Sequence, residues 1–228
     1  MNTIRLIVCI AMVTVLSGCD LGTYSKRYND RVGKMTSMAN SNKDLADQLI
    51  DIAGNAKIRV PKVCYNEDSL KFGPQDEFLK ARIPGIEIEG FVSSFMGDKE
   101  AADGSWYPFQ VYFFFMPGKN IEEAKSEVKA VVGSVLTQTR VSWEPKDMES
   151  YDGNEYVWNS ATVGAGQPFL VYENNSEKQK TINGRLDLYL TDNDKGVLAV
   201  AFRAPASVFG YDDEHLVEGT LKSIQGFK

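Results

Sequence analysis

A mostly apolar run, Leu6 to Leu16, opens the chain behind a single cation, Arg5. Its eleven residues are too few to cross a bilayer, which takes about 20, and they match the core of a secretory signal. Beyond it Leu21, Tyr24, Tyr28, Val32 and Met35 recur every three or four residues, the helical period. Gly22, Gly33 and the Ser/Asn-rich stretch 35–42 interrupt that pattern, so residues 19–43 read as a stem with helical tendency. Ser41-Asn42-Lys43-Asp44 has the form of a capping box, and Leu45, Leu49, Ile52 and Ala53 share one face after it. This spacing predicts a helix over 42–53 that stops at Gly54-Asn55.

The period then shortens to two. Lys57–Tyr65 is rich in Val and Ile, with Pro61 favouring a sheet edge, and Glu77–Ile83 and Glu87–Met96 are strand segments bounded by Gly/Pro pairs. Pro108–Met116 places Phe109, Val111, Phe113 and Phe115 on one face and Tyr112, Phe114 and Met116 on the other. Both faces are apolar, so the segment predicts a central strand with a layer on each side. Asn120-Ile121-Glu122-Glu123 supplies an N-cap and first-turn acids for a helix over 120–137, with Ala124, Val128 and Val132 in its apolar stripe. Strands are predicted again at Val141–Trp143, Tyr156–Val163, Pro168–Glu173, Thr181–Leu190 and Gly196–Ala204, the last two as an antiparallel hairpin. Asp212-Asp213-Glu214 opens a final helix carrying Leu216, Val217, Leu221 and Ile224, with Gly226 expected to close it.

The expected fold is α+β: a largely antiparallel sheet with helices packed on its faces, preceded by a signal peptide (1–18) and a stem (19–43), the globular domain being 44–228.

Leu16-Ser17-Gly18-Cys19 ends the apolar run with small residues before a cysteine, and it resembles a bacterial lipobox. The resemblance implies cleavage between Gly18 and Cys19, a lipid such as palmitate on Cys19, and a membrane-anchored protein facing away from the cytoplasm. Asp20, next to the lipidated position, implies retention at the inner membrane facing the periplasm where enteric-like sorting operates. A secretory signal cut elsewhere, or a membrane-spanning anchor, is the alternative. The order of elements over 57–228, ending Leu198-Ala199-Val200-Ala201-Phe202-Arg203-Ala204-Pro205 before a C-terminal helix, is similar to the PsbP-like and DcrB-like α/β/α sandwiches, from which the segment Asp98–Tyr107 departs as an insertion. That likeness implies a binding or assembly role.

Charge sharpens the picture. Residues 20–43 hold five cations (Lys26, Arg27, Arg31, Lys34, Lys43) against Asp20 and Asp30, net +3. Of the 25 cations and 31 anions in the chain, removing Arg5 and this segment leaves 19 against 29, net −10. A basic stem below an acidic body suits an anionic lipid surface, or else is an ordinary solvated tether, and the acidic body disfavours nucleic acid as a partner.

Candidate chemistry is sparse. Cys64 would be the one thiol left free by processing, and it lies in an apolar run that favours burial; a pairing with the single His215 has no spacing motif behind it. Asp192-Asn193-Asp194-Lys195-Gly196 lacks the spacing of a calcium loop and reads as a hairpin turn. Asp147, Glu149, Asp152 and Glu155 cluster around a turn, where paired carboxylates could do acid–base work or else stand solvated. Gly164-Ala165-Gly166 reads as a flexible turn, Asn174-Asn175-Ser176 matches a glycosylation acceptor by pattern alone, and Trp106, Tyr107, Trp143, Tyr151, Tyr156 and Trp158 belong to a core or a partner surface. No catalytic, cofactor-binding or metal site is assigned. The expected function is a non-catalytic binding or assembly module of the cell envelope with an envelope protein as partner. The alternatives are an envelope hydrolase built on the acids at 147–155, or a small-ligand carrier with an apolar cavity.

Overall fold

The computed structural model describes residues 21–64, 90–100, 106–136, 141–172, 179–205 and 211–228. The order of elements is α1 (Leu21–Asp44), β1 (Leu45–Ile52), β2 (Ala56–Pro61), a 3-10 turn (Lys62–Cys64), β3 (Phe91–Glu100), β4 (Trp106–Pro117), α2 (Ile121–Leu136), β5 (Glu144–Glu149), β6 (Glu155–Tyr172), β7 (Gln179–Asn193), β8 (Gly196–Pro205) and α3 (Tyr211–Lys222). The chain divides into two units, Met1–Asn40 and Ser41–Lys228.

In the first unit α1 runs unbroken through Gly22 and Gly33, where an interrupted stem was expected. Each interior glycine costs about 1 kcal/mol relative to alanine, and the Lys, Arg, Met and Leu residues around them are good helix formers.

The second unit is α+β. Six antiparallel strands lie in the order β3-β4-β8-β7-β6-β5, and β1 and β2 form a separate antiparallel pair. The two apolar faces of β4 each meet a layer. Phe109, Val111, Phe113 and Phe115 are buried in one cluster with Leu198, Val200, Phe202 and Trp158 from the sheet, Ile50, Ile52, Ile58 and Val60 from the β1–β2 hairpin, and Val217 and Leu221 from α3. Tyr112, Phe114 and Met116 are buried in a second cluster with Leu186, Leu188, Leu190 and Ala199, and with Ala124 and Val128 of α2. Burial of each large side chain contributes roughly 1.5–3 kcal/mol. β4 is an interior strand, second from one edge of the sheet. The expected insertion at Asp98–Tyr107 contains the outer end of the β3–β4 pairing, with Asp98 opposite Pro108 and Lys99 opposite Tyr107.

The predicted helix over 42–53 is not formed, because α1 continues to Asp44 and residues 45–52 are β1. Gly54-Asn55 belongs to a hairpin turn instead of a helix stop. Asn55 N–H donates to Ile52 O at 3.0 Å, and Ala53 and Gly54 both have positive φ, 51° and 70°. Ile50 and Ile52 then point into the core and Asp51 outward, the alternation of a strand with one buried face.

Three further boundaries move. Residues 141–143 are not a strand; β5 begins at Glu144, and Val141 and Trp143 pack against the second cluster. Only Met148 of β5 is buried, so this edge strand has almost no apolar alternation to reveal it. Gly164-Ala165-Gly166 lies inside the continuous strand β6, not in a turn: between Val163↔Leu186 and Gln167↔Gly184, β6 advances four residues while β7 advances two, a bulge. Finally, α3 closes at Lys222, and Gly226 turns the tail so that Phe227 enters the core.

Elsewhere the local signals hold. Asn120 Oδ1 accepts from Glu122 N and Glu123 N, both at 3.0 Å, and Glu123 Oε2 accepts from Asn120 N at 3.0 Å, a reciprocal cap for α2. Asn193 pairs with Gly196 across a two-residue loop, its Oδ1 accepting from Lys195 N and Gly196 N at 2.9 and 3.1 Å. The carbonyl side of Asn193 is therefore spent on its own turn, as a hairpin requires. Glu77–Ile83 lies outside the described residues.

Candidate functional site

Gly18 and Cys19, which carry the lipobox resemblance, lie outside the described residues, as does Asn174-Asn175-Ser176. α1 starts two positions after Cys19 and covers 24 residues, about 36 Å at 1.5 Å per residue. Tyr28, Val32 and Met35 on it are exposed. Among the described residues no helix is long and apolar enough to cross a membrane.

The four acids at 147–155 do not form an enclosed pair. Asp147 opposes Val157 and Glu149 opposes Glu155 across the β5–β6 hairpin, while the intervening Met148 and Tyr156 point into the core. Alternation therefore puts Asp147, Glu149 and Glu155 on the outward side, all exposed. Asp152 sits in the connecting turn, where its carboxylate accepts from Ser150 Oγ and, at 3.3 Å, from Asn154 N. Partial desolvation pushes its pKa up, but these hydrogen bonds and the charge of Lys228 outweigh it and hold Asp152 below the usual aspartate value. A carboxylate kept ionised and bonded to its own turn is not a proton donor in waiting.

Cys64 is fully buried, its Sγ donating to Phe109 O at 3.4 Å. Burial pushes the thiol far above its ordinary value, against a smaller opposing effect of the Gly97 backbone. This is the reverse of what a nucleophile needs. His215 is exposed in the first turns of α3. Trp158 and Tyr156 are core residues, Tyr151 and Trp143 are half-buried, and the side chains of Trp106 and Tyr107 lie outside the described residues.

Two buried polar clusters escaped the reading of the sequence. On the face that also carries Phe202, Asp187 is 2% exposed and is gripped by Arg185, Nε to Oδ1 and Nη2 to Oδ2 both at 2.9 Å, while Thr162 Oγ1 donates to it at 2.7 Å. The two-point clasp runs along β7 and satisfies the carboxylate, while the Thr162 hydroxyl ties β7 to β6. On the opposite face Arg203 is 5% exposed, its Nη1 donating to Gln110 Oε1 at 3.4 Å, and Tyr112 OH donating to the same oxygen at 2.7 Å. Desolvation lowers the pKa of this guanidinium, and Tyr112 opposes the fall. A signal for Arg203 was present: Val197, Ala199 and Ala201 share its face, and the other face of β8 is apolar too, so neither side of the strand is free for a charge. Asp187 had no such signal, since Leu-Asp-Leu alternation also describes a half-exposed strand.

No protein-family model matches the chain, and none of the curated proteins matches it. Fold and site together define a class, an α+β domain built on an antiparallel six-stranded sheet, whose buried polar clusters knit strands together.

Proposed function

We propose that this chain is a lipid-anchored lipoprotein of the bacterial envelope whose α+β body binds or assembles with an envelope component without catalysing a reaction. The observation that carries the reading is the run Leu16-Ser17-Gly18-Cys19 at the end of the eleven-residue, mostly apolar segment Leu6–Leu16. Processing there makes Cys19 the acylated N-terminus and leaves α1 as the link between bilayer and body. The order of elements similar to PsbP-like and DcrB-like sandwiches supports a binding role. The acids at 147–155 are exposed along a hairpin and its turn, which leaves the hydrolase alternative without an enclosed acid pair. Asp20 places the anchor in the inner membrane where sorting is enteric-like.

The test is the intact mass and membrane partition of the protein isolated from its host, beside Cys19→Ala. The expected result is a lipid-sized mass increment and membrane association, both lost in the variant. An unmodified, soluble wild type overturns the reading. Crosslinking of the anchored protein in intact cells then looks for the partner.

A further inference from the structure

Three of the large apolar side chains that stand exposed in the described protein are on α1: Tyr28 at 58%, Val32 at 43% and Met35 at 64%. At 3.6 residues per turn they fall within roughly 60° of one another, a single stripe along the helix. Arg31 and Arg27, both exposed, border the stripe on one side, and the exposed Asp30 lies on the opposite face. Over its whole length α1 carries Lys26, Arg27, Arg31, Lys34 and Lys43 against Asp30 and Asp44, net +3.

We infer that α1 is an interfacial helix, lying along an anionic bilayer with Tyr28, Val32 and Met35 in the headgroup boundary and Arg27 and Arg31 against lipid phosphates. The inference rests on the lipid-anchor reading and deepens it by assigning the stem an orientation and a lipid class. An apolar stripe bordered by cations, with the acid turned away, is the chemistry of a helix that lies in a membrane surface rather than crossing it. A lipid on Cys19 would hold the start of α1, two residues later, at the headgroups, so that laying the helix down becomes an intramolecular step at high effective concentration.

The competing occupant is a second copy of α1, and charge decides against it. A seam with Tyr28 and Met35 at d positions and Val32 at a puts Arg31 at g, facing the neighbour's Thr36 at e, so no ion pair crosses the seam. Two copies would also bring two helices of net +3 together. An anionic surface neutralises the same charge.

The test uses the acylated full-length protein with Val32→Cys, Met35→Cys or Asp30→Cys, each carrying an environment-sensitive fluorophore. Cys64 is buried and stays unlabelled in the native protein, and the lipid occupies the sulfur of Cys19. Vesicles of phosphatidylcholine containing about one-third phosphatidylglycerol, doped with a headgroup nitroxide lipid, supply the surface. The expected result is quenching at positions 32 and 35 about threefold stronger than at 30. In pure phosphatidylcholine, or with Arg27→Glu and Arg31→Glu together, the difference shrinks. Equal quenching at the three positions in protein that floats with the vesicles overturns the interfacial helix and leaves the anchor standing. Protection that rises with protein density alike on neutral and anionic vesicles also overturns it, in favour of paired copies. A protein of unmodified mass that fails to float overturns the anchor, and this inference with it.

Discussion

Lys57 and Gln225 exchange both of their backbone hydrogen bonds, Lys57 N–H donating to Gln225 O at 2.9 Å and Gln225 N–H to Lys57 O at 2.8 Å. This bridge joins the first hairpin of the body to its last residues. Ser223 Oγ reinforces it by accepting from Arg59 N at 2.8 Å. Beyond it Gly226, at φ 73°, swings Phe227 into the core, where its ring lies 6.4 Å from that of Tyr156.

The tail is therefore a structural element, and Phe227→Ala should destabilise the body. Phe227 is 2% exposed in the larger core cluster, and truncating a buried phenylalanine costs about 3–5 kcal/mol. Urea unfolding followed by tryptophan fluorescence measures the loss. A change under about 1 kcal/mol would mean that the tail contributes little packing.

The β1–β2 turn should improve with a different residue at 53. Ala53 holds φ 51° beside Gly54 at 70° in the turn closed by Asn55 N–H on Ile52 O, a conformation that costs an L-residue with a Cβ roughly 1–2 kcal/mol and that asparagine tolerates best after glycine. Ala53→Asn is expected to raise stability by about 0.5–1 kcal/mol and Ala53→Val to lower it. Thermal unfolding of the two variants beside the wild type separates them, and an unchanged midpoint in both contradicts the strain.

Glu218 should give the body part of its acid sensitivity. Burial pushes its carboxyl up, but Lys222, at 2.5 Å, with Lys146 and His215 facing it, outweighs burial and holds its pKa below the ordinary 4.5. The folded value lies under the unfolded one, so the stabilisation is fully present above the unfolded value and disappears as pH falls through the folded one. The group is about half open to water, which restricts the pair to about 0.5 kcal/mol. Glu218→Gln should lower stability at neutral pH by that amount and flatten the acid limb of the stability curve. Identical curves for both proteins would show that the pair contributes nothing.

Cys64 should report global opening. Its thiol is fully buried and pushed well above its usual pKa, so a thiol reagent reacts only with molecules that have unfolded locally or completely. The rate of labelling by a small disulfide reagent in increasing urea is expected to follow the unfolding equilibrium. Fast labelling of native protein would contradict the burial.

Legibility in the sequence varied with the range of the deciding interaction. The cap at Asn120, the stripe of α2 and the two-residue loop after Asn193 were readable because partners within four residues settle them. β4 was readable because six consecutive apolar or aromatic residues, Val111 to Met116, leave no face for solvent. By contrast, Leu45, Leu49 and Ile52 satisfy a helical period while Ile50 and Ile52 satisfy a strand period, and the hydrogen bonds to β2 select the second. β5 was hidden because it is an edge strand with one buried residue.

From the sequence alone came the α+β class, most of the strand and helix positions and the expectation of a signal segment and a basic stem, since each depends on local spacing, capping or composition. Tertiary structure alone decided the strand order, the hairpin at 45–61, the bridge from Lys57 to Gln225, and the enclosure of Asp187 and Arg203. The physical reason is that a residue's period is written in its neighbours, whereas its burial and its hydrogen-bond partner are set by whatever strand or helix comes to lie against it.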